Sequence, residues 1–138
     1  MAKKTSDEVY LEIWKIEQEN GKTRWTVTSF FLSVSFGILG ISFQADILLA
    51  SHIQRIVGLI LYWFGFFVFF QFSLYSKYLR GRLRKMEDDE GVSFDIQSEA
   101  DKFMYKTIKA PFPAQKLLLI FGILYTAGVV LLFFIPIN

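Results

Sequence analysis

An all-α integral membrane protein, with three transmembrane helices and amphipathic helices on the cytoplasmic side, is the fold class that this sequence predicts. Three observations predict it. From Ile56 to Ser76 the chain carries no ionised side chain, and the run then turns into KYLRGRLRK. About twenty apolar residues at roughly 1.5 Å rise match a hydrocarbon core about 30 Å thick. The composition, 53% hydrophobic and 18% aromatic with sixteen phenylalanines in 138 residues, is too apolar for a soluble domain of this size. The cations are also unevenly placed. Lys3, Lys4, Lys15, Lys22 and Arg24 precede the first apolar stretch, Arg55 alone lies in the first link, and the rest follow the second stretch. Basic segments resist translocation. The N-terminus and the long loop are therefore expected in the cytoplasm and the C-terminus outside, with the chain multi-pass in the cell inner (plasma) membrane.

Four segments follow from this reading: a cytoplasmic helix over 1–22, a transmembrane hairpin over 23–75, a cytoplasmic helical loop over 76–114 and a third span over 115–138. Thr5 or Ser6 can cap the first helix, with Asp7 and Glu8 in the first turn where the helix dipole favours negative charge. Val9, Ile13 and Ile16 recur at helical spacing beside Tyr10 and Trp14, so one face is apolar and needs a cover. That cover is the protein's own helix, the lipid headgroups or a partner protein. The cations and carboxylates before the first span balance, whereas membrane-surface helices are usually basic. Val9, Ile13 and Trp14 are accordingly read as partner contacts. At Asn20-Gly21 the chain either breaks in a short kink before the first span, the reading favoured here, or the helix continues straight through at a cost of about 1 kcal/mol for glycine.

The hairpin spans are placed at about 25–45 and 54–75. Lys22, Arg24 and Trp25 anchor one interface. Ser29, Ser33 and Gly37 lie four apart, and Thr26 and Gly40 extend that stripe, which is expected to let another helix approach or to line a pore. A link around residues 44–51 enforces an antiparallel hairpin. His52, at the helix start that follows, reads as a solvated or capping residue, since no second metal ligand accompanies it. In the second span Phe64, Phe66, Phe67, Phe69, Phe70 and Phe72 surround the helix, so many must meet lipid. Gly58 and Gly65 are expected to seat against the small stripe of the first span, and Gln71 to bond another helix, line an aqueous path or reach the interface.

Lys77, Arg80, Arg82, Arg84 and Lys85 then mark the topology and offer a surface to anionic lipid. The helix is expected to run to Glu87-Asp88-Asp89-Glu90 and stop at Gly91. Those carboxylates lack the alternating ligands of a calcium loop and read as a solvated charge run, although they can also pair with a neighbouring subunit. Ser98 with Asp101 resembles a capping box that starts a second amphipathic helix, whose apolar face holds Ala100, Phe103, Met104 and Ile108. Phe103 and Met104 join the expected partner contacts. Pro111 and Pro113 end that helix, and the third span runs from about Lys116 to Ile135.

Without cysteine the chain has no disulfide, thiolate metal site or cysteine nucleophile. It carries no phosphate-binding loop, HExxH, nucleophile elbow or dinucleotide fingerprint, so neither an enzyme, a cofactor, a metal nor a nucleic-acid partner is expected. No charge is expected to be buried within a span. Two functions remain. One is a homo-oligomeric pore-forming or membrane-permeabilising channel subunit, with a ring of first spans gated through the cytoplasmic helices. In outline this resembles the small multi-span membrane effectors of bacterial defence systems, with no motif that assigns a family. The alternative is a non-conducting anchor or scaffold subunit that docks a cytoplasmic partner, its small stripe then being dry packing.

Overall fold

The computed structural model describes residues 5–44, 47–89, 92–107 and 114–134, with side chains throughout except at Asp89 and residues 104–107. The described residues form α1 (Ser6–Ser42), α2 (Leu48–Asp89), α3 (Ile96–Thr107) and α4 (Ala114–Phe134). The fold is all-helical, and α1, α2 and α4 are each long and apolar enough to cross a membrane. The chain divides into two compact units. The first comprises residues 1–24 and 71–111, and the second residues 25–70 and 112–138.

Helix starts follow local chemistry only in part. At α1 the Thr5 and Glu8 side chains each take the other's backbone N–H, at 3.4 and 3.1 Å, the reciprocal pattern of a capping box. Of the two readings at Asn20-Gly21 the structure takes the continuous helix, and α1 runs through both residues without a break. Asn20 is instead tied to α2, where its Nδ2 donates to the Phe72 carbonyl at 3.2 Å and the Ser76 hydroxyl at 2.9 Å. The helix α2 reaches the acidic cluster as expected, and Gly91 lies outside the described residues. The Ser98 cap is corrected too. Helix α3 begins at Ile96, and its first-turn N–H groups at Gln97 and Ser98 are taken by a carboxylate of α2, that of Glu87. The residues Ile108, Pro111 and Pro113 lie outside the described residues.

Burial along α1 and α2 alternates by three and four residues, the spacing of a coiled-coil seam. In the first unit the seam of α1 runs through Tyr10, Trp14, Glu17, Gly21 and Arg24, against Ser76, Leu79, Leu83 and Met86 of α2. Tyr10, Leu83 and Met86 form its core, with Val9, Ile13, Trp14, Val92 and Phe94 packed on them. In the second unit Thr28, Phe31, Ser35, Ile38 and Ser42 of α1 face Ser51, Arg55, Gly58, Tyr62, Gly65 and Phe69 of α2. Small residues recur every seven positions on both helices, so large side chains find seats. A Cβ at Gly65 would lie 2.7 Å from the Phe31 Cβ, and one at Gly58 would lie 2.9 Å from the Tyr125 hydroxyl. Helix α4 closes this unit through Gly122, Tyr125 and Val129.

Candidate functional site: an open helix face and three polar clusters

Two stripes of small residues lie on the second-unit part of α1, and among the described residues only one is packed against the chain's other helices. Thr28, Ser35 and Ser42 are buried, whereas Thr26, Ser29, Ser33, Gly37 and Gly40 are exposed. Ser33 and Ser35 sit about 200° apart around a helix. The hairpin therefore closes on the heptad stripe and not on the four-residue stripe, which corrects the expected seat for Gly58 and Gly65. Gly58 meets the Ser35 carbonyl and Gly65 meets Phe31. Gly37 and Gly40 have open space where a Cβ would stand. This open face is narrow. Phe30, 62% exposed, and Phe36, 47% exposed, flank Ser33 at about 60° on either side.

The interior of the second unit is filled with rings and hydroxyls. The Ser35 hydroxyl donates to the Gly58 carbonyl at 2.7 Å and lies 3.2 Å from the Tyr125 hydroxyl. Tyr62 donates to the Leu118 carbonyl at 2.7 Å, and the Trp63 indole donates to the Thr126 hydroxyl at 3.1 Å. Tyr62 and Tyr125 sit with ring centroids 5.2 Å apart, Tyr62 with Trp63 over the seat that Gly122 leaves and the Tyr125 hydroxyl over that of Gly58. Of the phenylalanines expected to meet lipid, Phe64 and Phe67 are about half exposed, but Phe69 is buried against Trp25.

Arg55, counted among the cations as the one in the first link, lies inside α2 and is buried, so a charge is buried within a helix long and apolar enough to span. It is 1% exposed, its Nη1 donates to the Leu132 carbonyl in the last turn of α4 at 2.8 Å, and it lies over the Phe43 ring at 5.6 Å. A helix end leaves its last four carbonyls without intrahelical partners and carries partial negative charge, so a cation suits it. His52, expected to be a solvated or capping residue, stacks on Phe133 with centroids 4.5 Å apart. Both residues thus hold the α4 terminus. Nearby, an open groove of about 220 Å³ is lined by Ile38, Ile41, Ile53, Gln54 and Val57.

Within the first unit the acidic run is not uniformly solvated. The Glu87 carboxylate accepts from the Tyr10 hydroxyl at 2.5 Å, the Gln97 and Ser98 backbone N–H groups at 2.7 and 2.9 Å, and the Ser98 hydroxyl at 2.5 Å. Burial opposes ionisation of Glu87, but these hydrogen bonds outweigh it and hold the carboxyl below its usual range. Burial together with the charge of Glu87 pushes the Tyr10 phenol up to about 12. One side chain therefore joins α1, α2 and α3.

The third cluster lies on the α1–α2 pair of the same unit. Glu17, 4% exposed, accepts from the Arg80 Nε at 2.8 Å, and its other oxygen accepts from Gln18 at 3.0 Å. Arg24 donates to the Ser73 hydroxyl at 3.3 Å. Burial and then the nearby Arg80 lower the Arg24 pKa, against the attraction of Glu17. Among the cations assigned to lipid or topology, Arg84 binds Asp101 of α3 through Nε and Nη2, while Lys77, Arg82 and Lys85 are exposed.

The remaining expected contacts divide. Val9, Ile13 and Trp14 pack within the chain's own core, so the apolar face of the first helix is covered by α2 and by Val92 and Phe94. Helix α3 docks by its polar edge, with Gln97 buried, and its predicted apolar face leaves Phe103 66% exposed. The side chain of Met104 lies outside the described residues. Gln71 is exposed. Glu87, Arg55 and the buried small stripe were missed, and only the stripe left a signal, the seven-residue recurrence of Gly21, Thr28, Ser35 and Ser42. Compared with protein families, curated proteins and solved structures, the chain matches none.

Proposed function

We propose that the protein is a small inner-membrane subunit that associates with copies of itself through the open face of its first span. It then serves as a non-conducting anchor for a cytoplasmic helical unit. One observation carries the reading. The inner face of α1 is occupied within the chain, while Thr26, Ser29, Ser33, Gly37 and Gly40 on its outer face are exposed. Small residues four apart permit close approach of helices in lipid, where packing and interhelical hydrogen bonds drive association. The flanking Phe30 and Phe36 wall the stripe with apolar surface, which suits a helix better than a column of water. The cation distribution supports an inside N-terminus and an external C-terminus.

A conducting assembly is the second reading, favoured by the hydroxyls of Thr26, Ser29 and Ser33 on that same face. The absence of native cysteine makes the test clean. Ser33→Cys in native membranes is expected to form a disulfide-linked dimer on mild oxidation, and Leu124→Cys on α4 is not. Equal cross-linking at both positions, or none at Ser33→Cys, overturns self-association through this face. Single-channel current from the purified protein in a planar bilayer would replace the anchor by the pore.

A further inference from the structure

We infer that Arg24, Lys77 and Arg80 form a site for the phosphodiester of an anionic membrane phospholipid. The inference rests on reading α1 and α2 as spans with this unit on the cytoplasmic side. It goes beyond a general polybasic signal because the three cations converge on one edge. Ser73, Lys77 and Arg80 fall within an arc of about 60° on α2. Across from them Arg24 reaches the Ser73 hydroxyl and Glu17 takes Arg80, and the buried Glu17 carboxylate also acts on Arg24 through its charge. Arg80 is engaged through Nε while 48% of its side chain stays exposed. Lys77 is exposed one turn from both Ser73 and Arg80.

Two guanidiniums beside one buried carboxylate, with the Lys77 ammonium one helical turn away, leave positive charge in a partly desolvated place, where a further anion is the natural complement. Guanidinium groups suit the oxygens of a phosphodiester. The position selects the source. Arg24 directly precedes the first apolar stretch, and Lys77 and Arg80 follow the second within about 10 Å of helix rise, the depth of a headgroup layer. Arg84 and Lys85 lack this arrangement, since Arg84 is held by Asp101 and Lys85 is exposed away from the edge.

The test uses the full chain reconstituted in phosphatidylcholine vesicles, with spin-labelled phosphatidylglycerol and phosphatidylcholine as probes of lipid association. The wild type is expected to prefer the anionic probe severalfold. Each lost cation is expected to reduce that preference about fivefold at most, so R24Q/R80Q brings it close to one. Lys85→Gln should retain it. Glu17→Gln should raise it, an opposite change that misfolding would not produce, and R24K/R80K should restore part of it. Unchanged selectivity in R24Q/R80Q, or an equal fall in Lys85→Gln, overturns the site in favour of diffuse basic charge. Loss of the preference in millimolar inorganic phosphate overturns the lipid as its ligand. Release of the chain from vesicles by alkaline carbonate overturns the span reading and the site with it, whereas retention without selectivity overturns the site alone.

Discussion

Replacing Glu87 by glutamine removes the charge that three donors of α3 and the Tyr10 hydroxyl converge on. Hydrogen bonds to a charged group each contribute about 1.5–3 kcal/mol. Glu87→Gln is therefore expected to loosen α3 by about 2 kcal/mol, read as faster amide exchange over residues 96–107 with α4 unaffected. The same node sets a pH dependence of the first unit. The folded-state pKa of Glu87 is depressed, so its stabilisation is present above its usual carboxylate value and is lost as pH falls through the lower folded value. The Tyr10 phenol is raised from 10.0 to about 12, so its contribution is complete below pH 10 and disappears as pH rises through about 12. Near-ultraviolet circular dichroism of Tyr10 should report both limits. Neither role was legible in the sequence, because a carboxylate in a run of four looks like its neighbours until α3 folds back on it.

Among elements, the glycines separate open positions from seats. Gly21 has nothing within 4 Å of a Cβ, and it lies inside a continuous helix. Gly21→Ala is expected to stabilise by up to about 1 kcal/mol. At Gly65 the Phe31 side chain stands 2.7 Å from a Cβ, and at Gly122 the Tyr62 ring stands at 2.8 Å. Alanine at either position should destabilise the second unit by about 1–3 kcal/mol, measured by thermal unfolding in detergent. The extent of each long helix was legible, because apolar length and helix-forming composition set it locally. At Asn20-Gly21 the sequence left a kink and a continuous helix both open, because Asn20 is held there by Phe72 and Ser76, fifty-two and fifty-six positions away. The start of α3 was misread for the same reason: its cap comes from another helix.

For the whole molecule, the proposed assembly and orientation give two further outcomes. Ser33→Leu fills the open face and should shift the reconstituted protein toward monomer, counted by single-molecule photobleaching. An unchanged count refutes the packing face. Reporters fused to the two termini should give opposite signals across the membrane, and equal signals refute the three-span arrangement. The sequence by itself determined that the chain is helical and has three stretches able to cross a membrane, because hydropathy and length act along the chain. It also contained both small stripes of α1. Only the tertiary structure decided which stripe closes the hairpin, which cation caps α4 and which carboxylate gathers α3. Each depends on groups distant in sequence, and helical periodicity alone does not select among faces of similar composition.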